Sequence, residues 1–317
     1  MGKKQSNSFG ARCVSKGMRA LVVLSTKLTG ESILRSSMYS QKKEYRFGSW
    51  KVPAGYENQK IQLKNAKGYL LKKKDAKHDL IIYQIHGGGF VAKFSNLYNN
   101  TALHFSQICK DADIFSIDYR TAPQDVFPCA LEDVIDGYEW ILQQGYDPER
   151  IYLCGESAGG GLCLSLTLWL RDHEKPLPKG LILSSPWTDL AAEGESYQTK
   201  KKEDHFFGYP DERKVPKYPV PIVYAGEHDL HDPYLSPAYG DYRDFPRMLI
   251  QTGEAELLLS DSDIVVRKAK EQGVDVTYDT YPGMYHTFYI THPSLPESRK
   301  AWSRIRDWFC NKSIETK

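Results

Sequence analysis

One stretch constrains the fold more than any other: Gly155-Glu156-Ser157-Ala158-Gly159-Gly160, directly after the apolar run Ile151-Tyr152-Leu153-Cys154. A strand that enters Gly-x-Ser-x-Gly and leaves as a helix makes a turn too tight for side chains. The glycines two before and two after the serine supply the room. The serine hydroxyl then stands exposed at the mouth of a sheet, near a helix N-terminus. The apolar residues 162–170 read as the buried helix that follows.

Around this turn the chain alternates regularly. Apolar strands are expected at 80–85, 113–119, 151–154, 180–184, 248–252 and 274–281, with helical segments at 101–110, 130–143, 160–171 and 261–272 between most of them. Near-continuous apolar strands alternating with helices predict an α/β fold, with a mostly parallel central sheet covered by helices on both faces. Two further strands, 57–63 and 67–73, are expected to pair at its edge, and 297–309 reads as a closing helix. Upstream, Met18, Leu21, Val22, Leu24, Leu28, Ile33, Leu34 and Met38 recur at helical spacing and suggest one or two amphipathic helices. The rhythm breaks over 187–245, a charged and aromatic stretch with Pro210, Pro216, Pro219 and Pro221. A connection of that length is usually functional, such as a lid.

A nucleophilic serine needs an oxyanion site, a base and an acid, and the chain offers each at a strand end. The strand 80–85 runs into His86-Gly87-Gly88-Gly89-Phe90, whose glycines let backbone N–H groups approach a reacting carbonyl. Of nine histidines, His286 follows the last strand and the serine in sequence, the order such a site uses. His104 falls within a helix, and His173, His205, His228 and His231 lie in polar loops. The acid is expected after the penultimate strand, where Glu254, Glu256, Asp261 and Asp263 are available. Ser260 and Asp263 have the spacing of a helix start, which makes Asp261 and Asp263 first-turn partners of the helix dipole. Glu256 precedes that helix and is followed by three leucines that would bury it; it is the preferred acid, with Asp261 as the alternative.

Composition narrows the partners. A net charge of +2 and lysine clusters with acidic neighbours give no nucleic-acid footprint. No apolar run approaches the roughly 20 residues of a membrane span. The six cysteines show no C-x-x-C pair, which fits a reducing cytoplasm. Met1-Gly2 with Ser6 matches a lipidation pattern, although a solvated start to the chain is the simpler expectation.

The ordered motifs resemble the hormone-sensitive-lipase-like family of α/β-hydrolases, also called bacterial esterase family IV. The likeness spans about residues 80–311. It rests on His86-Gly87-Gly88-Gly89, Asp118-Tyr119-Arg120-Thr121-Ala122-Pro123, Phe127-Pro128-Cys129-Ala130-Leu131-Glu132-Asp133, Gly155-Glu156-Ser157-Ala158-Gly159-Gly160, Ser185-Pro186-Trp187-Thr188-Asp189, Asp232-Pro233-Tyr234-Leu235-Ser236-Pro237 and the segment around His286. The resemblance implies an α/β-hydrolase fold with N-terminal cap helices in 1–50, a catalytic domain in 51–317, and part of 187–245 contributing to the cap. It implies a serine carboxylesterase for short-chain, acetyl-like esters, with Ser157 as nucleophile, His286 as base and Glu256 as acid. Gly88, Gly89 and Ala158 would be the oxyanion donors. No metal or cofactor is implied; the partner is a small ester, and relatives often pair as homodimers. Phe90, Phe94, Tyr98, Phe206, Phe207 and Tyr285 are candidates to line the substrate site. An amidase or N-deacylase with the same triad is the alternative, and a non-catalytic receptor on this fold a remoter one. Glu156, Gln124, Lys93 and Glu256 depart from the family's commoner residues without removing a catalytic group.

Overall fold

The computed structural model describes residues 7–29, 44–204, 206–207 and 222–310. The lipidation pattern at Gly2, the second upstream helix around Ile33–Met38 and the prolines 210–221 lie outside these residues.

Eight strands form one sheet: β1 (Tyr56–Gln62), β2 (Lys67–Lys73), β3 (Ile81–Ile85), β4 (Asp113–Asp118), β5 (Ile151–Glu156), β6 (Gly180–Ser184), β7 (Arg247–Gly253) and β8 (Val276–Tyr281). Their order is β1-β2-β4-β3-β5-β6-β7-β8. The edge pair β1–β2 is antiparallel, as is β2–β4, and all remaining pairs are parallel. The expected edge hairpin and parallel body are thus both present.

Among the described residues, six longer helices carry the packing: α1 (Phe9–Thr29), α2 (Asn96–Ile108), α3 (Cys129–Gln143), α4 (Ala158–Asp172), α5 (Leu259–Glu271) and α6 (Pro296–Phe309). Strand side chains alternate between two cores because the pleat has a period of two. Ile81, Tyr83 and Ile85 of β3, with Ile151 and Leu153 of β5, meet α3, α4 and α5. Ile82, Tyr152 and Cys154 face the opposite way, against α1, α2 and α6. α1 presents Ala11, Val14 and Met18 to that second core. It is tied down at its start, where Ser8 N and Oγ donate to the two oxygens of Glu297 at 2.6 and 2.8 Å. None of the described helices is long and apolar enough to cross a membrane.

The start of α5 differs from its sequence signature. Asp261 is fully buried and its Oδ2 accepts the N–H groups of Thr188 and Asp189 at 2.7 and 2.8 Å. Asp263 accepts the Tyr278 hydroxyl, and Ser260 Oγ accepts from Ser196 N at 2.7 Å. The capping arrangement read from Ser260 and Asp263 therefore gives way to tertiary partners, which offer these groups better hydrogen bonds than their own helix end.

The parallel topology places the loops of interest side by side. Register pairs Ile85 with Gly155, Glu156 with Ser184, and Gly253 with Tyr281. The segments after β3, β5, β6, β7 and β8 consequently leave the same edge of the sheet, where open α/β sheets bind ligands. At the opposite edge Asp113, the first residue of β4, is fully buried and holds His78 Nδ1 at 2.8 Å and the Tyr146 hydroxyl at 2.5 Å. That accounts for His78 as a packing residue. His104 meets the edge of Trp302 and His173 stacks on Trp169, so neither approaches the serine.

Candidate active site

The turn between β5 and α4 is as tight as its glycines require. Ser157 sits at φ 53°, ψ −124°, outside the regions open to ordinary residues, and the surroundings hold it there. Its N–H donates to Ser184 O at 2.9 Å, and its carbonyl accepts from Trp187 and Gly161 N–H at 2.9 and 3.1 Å. A Cβ on Gly159 would lie 2.1 Å from Ile85 O and 2.6 Å from His86 O, so only glycine allows α4 to start this close to β3.

His286 enters from the loop after β8. Its Nδ1 is 2.6 Å from Glu256 Oε2, and both side chains are buried. The following residue, Thr287, takes a left-handed backbone (φ 50°), which turns the chain back into the single-turn helix Phe288–Thr291. Glu256 lies in the turn between β7 and α5, as expected, and its Oε1 is fully engaged. It accepts from Ser185 Oγ at 2.9 Å, from Gly253 N–H at 2.8 Å and from the Thr252 hydroxyl. Four donors converge on one carboxyl with no exposure to water. Asp261, the alternative acid, is spent on the backbone of Thr188 and Asp189 instead.

Ser157 and His286 share one cavity of about 170 Å³, lined also by Gly88, Ala92, Leu97, Tyr98, Glu156, Phe206, Phe207 and Ile290. Of the aromatic candidates, Tyr98, Phe206 and Phe207 reach it. Phe206 and Phe207 lean on the imidazole, with ring centroids 5.6 and 4.9 Å from that of His286. Phe90 instead stacks on Tyr224 at 4.1 Å, Phe94 packs against Tyr69 and Tyr45, and Tyr285 is fully buried with its hydroxyl against His292 Nδ1. These three are placed in the surrounding packing, not in the cavity wall. Gly88 is in the wall at φ 106°, and Gly89 follows at φ 62°; Ala158 opens α4 immediately behind the serine.

Two residues of this region were assigned no role from the sequence. Ser185, at φ 43° just past β6, bridges Glu256 and the Thr287 N–H, the latter at 3.4 Å. Its hints are its place one residue beyond a parallel strand and at the head of the Ser185-Pro186-Trp187-Thr188-Asp189 motif. Asp204 is buried in the long β6–β7 connection, where nothing in the local pattern marks it. Its Oδ1 accepts Phe206 and Phe207 N–H at 2.6 and 2.8 Å, and its Oδ2 accepts Leu257 N–H at 2.6 Å. Burial pushes the Asp204 carboxyl up, and the three backbone N–H groups draw it back. No group of three or more His, Cys, Asp and Glu side chains suited to a metal occurs among the described residues.

A profile of the alpha/beta hydrolase fold family matches residues 82–290, two thirds of the chain. An acetyl-hydrolase of Streptomyces hygroscopicus is 35% identical over 220 residues, covering 68% of this chain and 71% of its own. An esterase of Acinetobacter venetianus is 30% identical over 256 residues, 80% of this chain and 82% of its own. Among solved structures, an esterase of the bacterial hormone-sensitive lipase family superposes with a TM-score of 0.79 at 28% identity, over 97% of this chain and 99% of that one. The chain belongs to the hormone-sensitive-lipase-like family of α/β-hydrolases. Within that family it is a carboxylic ester hydrolase.

Proposed function

We propose that the protein is a serine carboxylesterase for short-chain acyl esters, working through Ser157, His286 and Glu256 and an acyl-enzyme. The observation that carries this is the 2.6 Å contact between Glu256 Oε2 and His286 Nδ1, with His286 and Ser157 on the wall of one small cavity. Glu256 keeps the imidazole proton on Nδ1 and leaves Nε2 free to accept. Ser157 Oγ adds to the ester carbonyl as Nε2 takes its proton, and the carbonyl π electrons move to oxygen. The oxyanion is met by backbone N–H groups of Gly88, Gly89 and Ala158, each worth ~3 kcal/mol of barrier. Collapse expels the alcohol, which takes the proton from Nε2 and leaves Ser157 acylated. A water, deprotonated by the same nitrogen, then releases the carboxylic acid and restores the serine.

Size supports a short acyl chain. The cavity's 170 Å³ holds about six water-sized groups, well below the 300–1,000 Å³ typical of drug-sized ligand pockets. The Streptomyces relative, an acetyl-hydrolase by name, points the same way. The region 1–50 and part of 187–245 act in this reading as a cap, with Phe206 and Phe207 as its contribution to the acyl wall. The test is fluorophosphonate labelling together with a p-nitrophenyl ester series on wild type and Ser157→Ala. Labelling and activity lost in the variant, with wild-type rates falling steeply beyond C8, are the expected results. An active Ser157→Ala protein or a flat chain-length profile would sink the assignment.

A further inference from the structure

Among the described residues, Glu156 is the one carboxyl in the cavity wall, and the esterase mechanism leaves it unused. It precedes Ser157 in the chain, is 6% exposed, and its Oε1 accepts the Gly87 N–H at 2.8 Å. The approach is close enough that a Cβ on Gly87 would meet Glu156 O at 2.7 Å and Oε1 at 3.0 Å. From α2 the Tyr98 hydroxyl faces the same carboxyl. Gly88 and Gly89 both have positive φ, so the glycine run has no conformational preference of its own to aim its amides. It is pinned at four points: His86 O accepts the Tyr119 hydroxyl at 2.8 Å, Gly87 N–H is held by Glu156, Gly87 O lies 2.7 Å from His86 Nδ1, and Gly88 O accepts Val91 and Ala92 N–H at 3.1 and 2.9 Å.

We propose that Glu156 is a positioning residue whose carboxylate, by holding Gly87 N–H and Tyr98, aims the amides of Gly88 and Gly89 into the oxyanion hole. The proposal rests on the reading of those two glycines as oxyanion donors. A carboxylate is an acceptor through all its lone pairs, and its bond to an N–H is charge-assisted. Protonation converts one oxygen to a donor and weakens that hold. Ionisation is set by neutral surroundings: Tyr98 on α2, Tyr119 beyond β4, Cys154 on β5, Cys163 on α4 and Tyr289 after β8 are each pushed upward by burial, and His86 is pushed down to about 4. His286 stands across the same cavity. Burial likewise drives Glu156 up to about 7, against the opposing pull of Gly87 N–H. The oxyanion site is thereby assembled as the pH rises through neutrality.

The experiment compares wild type, Glu156→Gln and Glu156→Asp on p-nitrophenyl acetate from pH 5 to 9, with rates expressed per fluorophosphonate-titrated site. In Glu156→Gln we expect kcat to fall by about tenfold or more, short of the 10²–10³ lost with a whole oxyanion donor, and KM to stay within about twofold. The acid limb of kcat/KM should reflect two ionisations in wild type and in Glu156→Asp, and one in Glu156→Gln. A wild-type kcat per titrated site, an effect confined to KM, or an unchanged acid limb would overturn the proposal. If Glu156→Gln yields no titratable protein, Glu156→Asp decides: its shorter arm should lower kcat while keeping the two-step limb, and a wild-type kcat there would overturn the proposal equally. An active Ser157→Ala protein would instead sink the underlying reading, whatever Glu156 does.

Discussion

Glu256 divides its two oxygens: Oε2 meets His286 Nδ1 at 2.6 Å, and Oε1 takes Ser185 Oγ, Gly253 N–H and the Thr252 hydroxyl. The carboxyl is thus locked from behind and has one direction left in which to act. Glu256→Gln keeps the shape but can present an amide N–H to Nδ1, favouring the wrong imidazole tautomer. Its kcat should fall by up to ~10⁴ with the fold retained. Asp261→Asn should show the reverse pattern. It disturbs two backbone bonds to a carboxyl that burial pushes well above the usual carboxylate range, each worth roughly 0.5–1.5 kcal/mol, and lowers the melting temperature without changing kcat per titrated site. Kinetics and thermal melts on the two variants, side by side, decide which carboxyl is the acid.

Ser185→Ala removes one donor from Glu256 Oε1 and the acceptor of Thr287 N–H while leaving all three proposed triad members in place. Losing a hydrogen bond to a charged group costs about 1.5–3 kcal/mol, part of which falls on the orientation of His286. A drop in kcat of about tenfold is expected, with KM little changed. Steady-state kinetics at saturating substrate checks it, and a wild-type kcat would show that Gly253 and Thr252 suffice.

The placement of the serine turn, the glycine run, His286 and Glu256 was legible because each stands where a predicted strand ends, and parallel strands put their ends in one place. Strand positions followed from apolar runs such as Ile81–Ile85 and Gly180–Ser184, buried on both faces and therefore hard to mistake. What could not be read was decided by contacts distant in sequence. Phe90 and Phe94 resemble pocket residues by position, yet Tyr224 and Tyr69, more than a hundred residues downstream and two dozen upstream, take them into the packing. Asp261 does stand in the first turn of α5, but nothing nearby announces that Thr188 and Asp189 will present bare N–H groups to it. Asp204 had no pattern at all, since its partners Phe206, Phe207 and Leu257 are joined only by the fold.

Asp204 gives a specificity prediction. Its carboxyl ties two aromatic residues of the cavity wall to Leu257, the neighbour of Glu256. In Asp204→Ala the three N–H groups lose their acceptor and the Phe206–Phe207 wall is released from its anchor, while Ser157 and His286 keep theirs. The preference for acetyl and butyryl over octanoyl p-nitrophenyl esters should narrow by about tenfold, mainly through KM for the short esters. An unchanged chain-length ratio would mean the wall is held by its ring contacts alone.

Glu156 supplies the pH prediction, and its sign follows from burial. The carboxyl rises from 4.5 to about 7 because burial disfavours the charge more than Gly87 N–H favours it. Below pH ~4.5 it is protonated whether the chain is folded or not, and contributes its full share of stability. Between ~4.5 and ~7 the unfolded chain loses this proton while the folded one keeps it, so stability falls as pH rises, by ~3 kcal/mol in all. Glutamine cannot ionise and escapes the loss. The melting temperature of Glu156→Gln relative to wild type should therefore climb by several degrees between pH 4.5 and pH 7.5, then level off. A difference that stays flat across that range would show that the carboxyl is ionised throughout. If the climb appears together with the expected fall in kcat, the same charge that destabilises the fold at neutral pH is the one that aims the glycine run, a trade of stability for activity at one buried residue.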